Sequence, residues 1–278
     1  MKFGNRINLH THTLRCKHAT GQPEDYCREA LEQGISILGF SDHAPFLDGR
    51  LGGSRMFFHE LPDYAADVDA ARQFDPALTV LKGLEVDYYE SVGRAFYEDA
   101  YLGVCGCDYM VAGTHSLEPY SEKLDLWRDD NAFGADEVLV YLKAHLVAME
   151  TGLFDFFAHP DAFARCTPYW TDEIKAVCAD FVDASIALDI PLEINAYGIR
   201  KPALDMPEGK RAQYPWRPFW ELVAEKGGKV VVSSDAHRPE DVWGNTDDTL
   251  ELARELGLQV VNRELADKII ARRNDKAG

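Results

Sequence analysis

Short apolar runs alternate along this chain with longer stretches whose apolar residues recur every three or four positions. Runs of strand character fall at 6–9 (RINL), 35–40 (ISILGF), 78–84 (LTVLKGL), 108–112 (DYMVA), 154–158 (FDFFA), 191–194 (PLEI) and 229–232 (KVVV). Between them, PEDYCREALEQG, LPDYAADVDAARQF, ADEVLVYLKAHLVAMETG, DEIKAVCADFVDASIALD and PWRPFWELVAEKGG carry helical spacing. Pro23 suits a first helical position, Gly34 a C-terminal stop and Thr171 an N-cap. Such repetition predicts an α/β fold of parallel strands joined by helical crossovers. No internal repeat, low-complexity block or Gly/Ser linker interrupts the pattern, so one domain over residues 1–278 is expected.

The residues that follow each run change the picture from fold to chemistry. In order they are His10-Thr-His12, Ser41-Asp42-His43, Glu85-Val-Asp87, Gly113-Thr-His115, His159-Pro-Asp161, Asn195 and Ser234-Asp235-Ala-His237. Every predicted strand thus ends in a residue able to bind metal or substrate. In a β/α barrel the C-terminal strand ends converge on one face, where active sites form. An open doubly wound sheet gathers its ligands at one switch point instead. Seven contributing strands favour a closed or nearly closed barrel. A His-x-His pair at a strand end turns both rings to one face, so His10 and His12 can share an ion. Imidazole with carboxylate suits zinc, iron or manganese, whereas calcium and magnesium prefer oxygen shells. The ligands outnumber what one ion uses, which implies two or three metals. His59, in a polar stretch, and His145, inside a helical one, read as surface or core residues.

Composition narrows the partners. The chain has 278 residues, 47 acidic against 29 basic, for a formal net charge of −18. That acidity argues against long nucleic acid and anionic lipid, which need a basic face. No run reaches the length of a membrane span. The start, MKFGNRINLHTHT, turns polar too soon for a secretory leader, so a cytoplasmic protein is expected. Six cysteines in so long a chain make no disulfide scaffold; Cys27 and Cys178 read as core residues, and Cys105-x-Cys107 is a weak metal signal.

Taken in order, LHTHT at 9–13, FSDH, GLEVDY, GTHS, AHPD and SSDAHRPED at 233–241 resemble the PHP (polymerase and histidinol phosphatase) family of metal-dependent phosphoesterases. HTHTLRCKHATG, EINAYGIRKP and the FWEL…GGKVVVSSDAH run resemble its histidinol-phosphatase subgroup. The resemblance implies a distorted (β/α)7 barrel with three divalent ions (zinc, manganese or iron). By motif, His10, His12, Glu85 and Asp235 would hold the first ion and His18, His43 and His237 the second. His115 and His159 would hold the third with Glu85, which bridges. The place of His18, in a loop after Lys17, rests on the resemblance alone.

The expected activity is hydrolysis of a small phosphate monoester by a metal-bridging hydroxide, with L-histidinol phosphate the sharpest candidate. Nucleotides and phosphotyrosine are alternative substrates, and a non-catalytic metal-stabilised module is the reading outside enzymes. Resemblance makes Arg200 and Arg165 phosphate binders, since guanidinium suits bidentate phosphate contact. Asn195 joins them as a substrate-binding candidate. Asp161 is expected to protonate the leaving alkoxide or to orient a ligand histidine. Arg15 and Lys17 are weaker phosphate candidates. Loop 48–58 is expected near the pocket, and the aromatic segment 214–220 is expected mainly in packing.

Overall fold

A computed structural model describes residues 6–117, 126–127, 132–207 and 209–277. Strands β1 (Arg6–Asn8), β2 (Ile35–Phe40), β3 (Thr79–Val86), β4 (Tyr109–Ala112), β5 (Phe156–Phe157) and β6 (Leu192–Asn195) lie side by side in chain order, all parallel. An antiparallel hairpin of β7 (Leu204–Met206) and β8 (Gly209–Arg211) interrupts the series. The sheet then resumes with β9 (Lys229–Ser233) against β6 and β10 (Gln259–Val260) against β9. Each of the seven apolar runs holds one strand. The hairpin and β10 escape a pattern search because their residues are exposed or only half-buried and carry no apolar run.

Around the sheet lie α1 (Pro23–Glu32), α2 (Leu61–Ala71), α3 (Arg94–Tyr97), α4 (Ala135–Glu150), α5 (Asp172–Ala187), α6 (Tyr197–Arg200), α7 (Arg217–Lys226), α8 (Thr246–Leu256) and α9 (Asn262–Ala277). Pro23 opens α1, and Gly34 just beyond it takes a positive φ of 74°. The Thr171 hydroxyl caps α5 by accepting from Ile174 N at 3.3 Å. Helices α8 and α9 complete the outer layer. Their apolar faces are supplied by a few residues such as Ala253, Leu265 and Ile269.

The barrel closes where the first and last long strands meet. Thr11 bridges Ala236 in parallel register, and His12 N donates to Ala236 O at 2.8 Å. Lower down, the two strands are splayed, and the Asn262 carboxamide spans them. Its Nδ2 donates to Val232 O (2.7 Å) and Ile7 O (3.3 Å), while its Oδ1 accepts from Val232 N (2.9 Å). A side chain thus makes the ladder bonds a strand would make, which is one source of the distortion.

Strand alternation divides each strand between the interior and the helical layer. Ile7, Ile37, Leu81, Val111, Phe156 and Val231 form one apolar cluster with Leu265, Ala266 and Ile269 of α9, which seals the N-terminal end. Tyr109 fills the middle, its hydroxyl donating to Leu9 O at 2.7 Å. A Cβ on Gly39 or Gly83 would meet the Tyr109 side chain at 2.2 or 2.5 Å, so both positions leave room for that ring. Two residues further along the interior face, the chain switches from apolar to ligating residues: Glu85 on β3, Glu193 and Asn195 on β6, Asp235 after β9. The floor of the site is therefore the roof of the apolar core.

Candidate metal centre

Six of the nine histidines converge at the C-terminal strand ends, joined by His18 from the loop after β1. His10 Nε2 and His12 Nε2 lie 3.0 Å apart, as the His-x-His spacing implies. Glu85 Oε2 is 3.4 Å from both, and Asp235 Oδ1 is 3.6 Å from His10 and 3.1 Å from His12. Ligand atoms about 2.1 Å from a tetrahedral ion stand about 3.4 Å from one another. Neither Glu85 Oε2 nor Asp235 Oδ1 has a hydrogen-bond partner, although both are buried.

The hydrogen bonds behind the rings give this crowding its meaning. His10 Nδ1–H donates to Glu193 Oε1 at 2.8 Å, which leaves a lone pair on Nε2. His18 Nδ1–H donates to Cys16 O (2.7 Å), and His237 Nδ1–H donates to Asp235 O (3.1 Å). Both remaining Nε2 atoms carry lone pairs, and they face each other at 2.9 Å. Two lone pairs at that distance repel unless a cation lies between them. The donor set therefore fits divalent metal, and the second pair fits it independently of the first. His18, from the loop after β1, thus stands with its ring against that of His237.

Glu85 faces a further set of donors. His43 Nδ1 lies 2.9 Å from its Oε2, and His159 Nε2 and His115 Nε2 lie 3.0 and 3.4 Å from its Oε1. Ligand atoms of His12, His43 and His237 also come within one ion's reach, as do those of His43, Glu85 and His115. Gly113 makes the approach possible, because a Cβ there would meet Glu85 Oε1 at 2.4 Å and His115 Cε1 at 2.8 Å. His159 and Asp235 hold positive φ angles of 31° and 48°, uncommon for residues other than glycine.

Burial favours neutral imidazole at several of these positions. It holds His43 and His237 well below the ordinary range, His12 adding to the effect, and His18 below it as well. Glu85 and Asp235 go the other way. Burial opposes their ionisation, yet the surrounding imidazoles keep both carboxyls well below the usual range.

An outer ring of side chains fixes the ligands. Glu193 is fully buried and accepts from His10 Nδ1, the Ser233 hydroxyl, His159 N (3.0 Å) and Asn195 Nδ2 (2.8 Å). Asn195 Nδ2 also donates to Asp235 Oδ2 at 3.1 Å, so it joins two carboxylates behind the centre. Asp87 accepts from His115 N (2.6 Å) and lies 3.2 Å from its Nδ1, while buried Arg55 donates to Asp87 Oδ2 at 3.0 Å. Asp42 Oδ1 accepts from Thr13 N at 2.9 Å. Glu193 and Arg55 are missing from the sequence-derived candidates. The signal for Glu193 is a lone carboxylate inside an apolar strand run, two residues before Asn195.

A cavity of about 380 Å³ opens over the centre, walled by His18, His115, Trp127, Tyr197, Lys201 and Tyr214 among others. Loop 48–58 reaches it through Leu51, Gly53 and Ser54. Of segment 214–220, Tyr214 walls the cavity while Phe219 and Trp220 are buried in the core. The expected phosphate arginines turn elsewhere. Arg200 donates to the carbonyls of Gly244 (2.5 Å), Ser234 and Asp235 (3.2 Å), and Arg165 donates to Leu126 O. Asp161 Oδ2 accepts from Trp216 N (2.6 Å) and Trp220 Nε1 (2.8 Å), and burial pushes its carboxyl up to about 6. Arg15 pairs with Asp67, and Lys17 donates to Gly52 O at 2.6 Å. His145 is buried in α4 and His59 is exposed, both apart from the cluster. All six cysteines are free and buried. No helix among the described residues is long and apolar enough to cross a membrane.

Comparison with known proteins gives a family and a fold. A family model described as PHP domain matches residues 8–197. A Deinococcus radiodurans protein named probable histidinol-phosphatase is 31% identical over 265 residues, covering 91% of this chain and 94% of its own. A Shewanella amazonensis protein named probable phosphatase is 24% identical over 238 residues, covering 86% and 79%. Among solved structures, Lactococcus lactis histidinol phosphate phosphatase, complexed with zinc, L-histidinol and phosphate, matches with a TM-score of 0.69 at 16% identity. The match covers 92% of this chain and 95% of that one. At that identity the likeness carries the fold, a PHP-type barrel.

Proposed function

The chain belongs to the PHP domain family, and on that footing we propose that it is a metal-dependent phosphatase whose substrate is L-histidinol phosphate. The observation that carries the metal reading is the contact of His18 Nε2 with His237 Nε2, lone pair on lone pair, beside the His10–His12 pair whose Nε2 atoms lie 3.0 Å apart. The relative that is 31% identical supports the choice of substrate by its name.

In this reading His10, His12, Glu85 and Asp235 hold one ion, His18, His43 and His237 a second, and His115 and His159 a third that Glu85 shares. Bound divalent ions supply neutralisation of phosphoryl charge and a lowered pKa for water, so that hydrolysis proceeds at neutral pH without a protein nucleophile. The protein's own part is orientation. Glu193 and Asp87 fix the ring of His10 and of His115 from behind, and Asn195 holds Asp235 to Glu193. Arg200 and Arg165 tie down the loops that border the cavity, and Asp161 anchors the start of α7. The acidic surface does not oppose a small anion, because the charge that meets it belongs to the cationic centre. The barrel acts as one catalytic unit on a small phosphorylated molecule.

The experiment is phosphate release by metal-loaded protein from L-histidinol phosphate, a mononucleotide and phosphotyrosine. L-histidinol phosphate is expected to have the highest kcat/KM. Preference for another ester rejects the substrate while keeping the phosphatase. No release from any ester by fully metallated protein rejects the enzyme.

A further inference from the structure

Lys201, immediately after α6, is a half-buried cation with no hydrogen-bond acceptor among the described residues. Its Nζ lies 4.5 Å from the Trp127 ring centre, 4.6 Å from that of Tyr197 and 5.7 Å from that of Tyr214. These rings attract the charge but accept no conventional hydrogen bond. Among the described residues no carbonyl or carboxylate accepts from Nζ, although an ammonium carries three donors. The side chain nonetheless lines the cavity over the metal-ligand cluster, together with His18, His115 and Asp235. Apart from the histidines, it is the one cationic side chain among the described residues of that wall.

We propose that Lys201 is the protein's own ligand for the substrate's phosphate, donating from the aromatic wall to a phosphoryl oxygen turned away from the metal-ligand cluster. The inference rests on the phosphatase reading and extends it to the group that reads the phosphate. A half-buried ammonium with no acceptor among its described neighbours is stabilised by an anion that brings one. The three rings restrict the stem, so little freedom is lost when the contact forms. Burial also draws the ammonium down to about 8, which an arriving dianion would reverse. Arg200 is adjacent in sequence, but its two terminal nitrogens donate to backbone carbonyls and it does not line the cavity. A terminal phosphate with two charges gains more from Lys201 than a diester with one, which makes this residue a determinant of specificity for monoesters.

The test is calorimetric titration of inorganic phosphate into metal-loaded wild type, Lys201→Met and Lys201→Arg, with metal content measured on each sample. The Met variant should keep its metals and bind phosphate about tenfold or more weakly, as loss of a charged hydrogen bond implies. The Arg variant should lose less affinity than the Met variant, since the charge is kept. Equal affinity in the Met variant at equal metal content overturns the proposal, as does an equal loss in both variants. A second arm needs no substitution: saturating phosphate should protect Lys201 of the wild-type protein from acetylation, read by mass spectrometry. Undiminished labelling overturns it. Lysine-dependent phosphate binding without turnover of any ester would reject the phosphatase reading and leave this contact standing. Turnover with lysine-independent binding would do the reverse.

Discussion

Glu193 Oε1 accepts from His10 Nδ1 at 2.8 Å across 183 residues of sequence, with both side chains fully buried. One carboxylate thereby sets the tautomer of one imidazole and turns its Nε2 lone pair into the centre. Its remaining lone pairs accept from Ser233, His159 N and Asn195.

Glu193→Gln should lower metal affinity about 10- to 100-fold, the usual scale for losing a group that orients a ligand. An amide has the carboxylate's shape but one acceptor oxygen, so at least one of the four donors is left facing an N–H. Competition against a chelator measures the change. Unaltered affinity would show that His10 needs no such support.

Gly113→Ala adds one methyl group and should remove metal binding out of proportion to its size. The new carbon would stand 2.4 Å from Glu85 Oε1 and 2.8 Å from His115 Cε1, closer than packed atoms approach. Elemental analysis should find less bound metal, with the far-ultraviolet circular dichroism preserved. Full metal content in this variant would mean that Glu85 can shift without consequence.

Arg55→Met should destabilise the protein by about 3–5 kcal/mol in urea, because it strands the buried Asp87 charge. Burial alone would raise the Asp87 carboxyl, but His115 and Arg55 hold it below the usual range. The double variant Arg55→Met/Asp87→Asn should recover part of the loss. A single variant as stable as wild type would contradict the pairing.

His145 gives a pH dependence of definite sign. Burial among Tyr141, Phe157 and Phe181 pushes its imidazole down to about 3, from an ordinary value of 6.5. The folded protein keeps this ring neutral, while the unfolded chain takes up a proton below about 6.5. The stability it allows is therefore complete above that pH and is lost as pH falls toward 3. At pH 5 the loss is about 2 kcal/mol. In metal-free protein, the drop in unfolding free energy between pH 8 and pH 5 should be smaller by about that amount in His145→Phe. An identical drop in both proteins would place the titration elsewhere.

The parts of this site legible in the sequence are those where a ligand terminates an apolar run. His10, His43, Glu85, His115, His159 and Asp235 follow strands whose alternation fixes where they emerge, so barrel and ligand set are read together. Less legible are groups whose role depends on distant partners. Glu193 lies inside β6 and acquires meaning only from donors on the chain after β1, after β5 and on β9. Lys201 is shielded by the rings of Trp127 and Tyr214, which lie outside its own element. Arg200 and Lys201 share a motif, yet one meets backbone carbonyls and the other the cavity, a division set by how α6 ends. Closure by Asn262 is similarly hidden, since a carboxamide standing in for a strand leaves no periodic trace.

The central claim is that a metal cluster centred on Glu85 is the phosphatase. Its most direct test is phosphate release from L-histidinol phosphate by initially metal-free protein as divalent metal is titrated in, with wild type and Glu85→Gln compared. Wild type should be inactive without metal, gain activity as metal binds and plateau when binding saturates, whereas Glu85→Gln should bind fewer ions and stay inactive. Equal release by metal-free protein, or normal metal stoichiometry and turnover in Glu85→Gln, would contradict it.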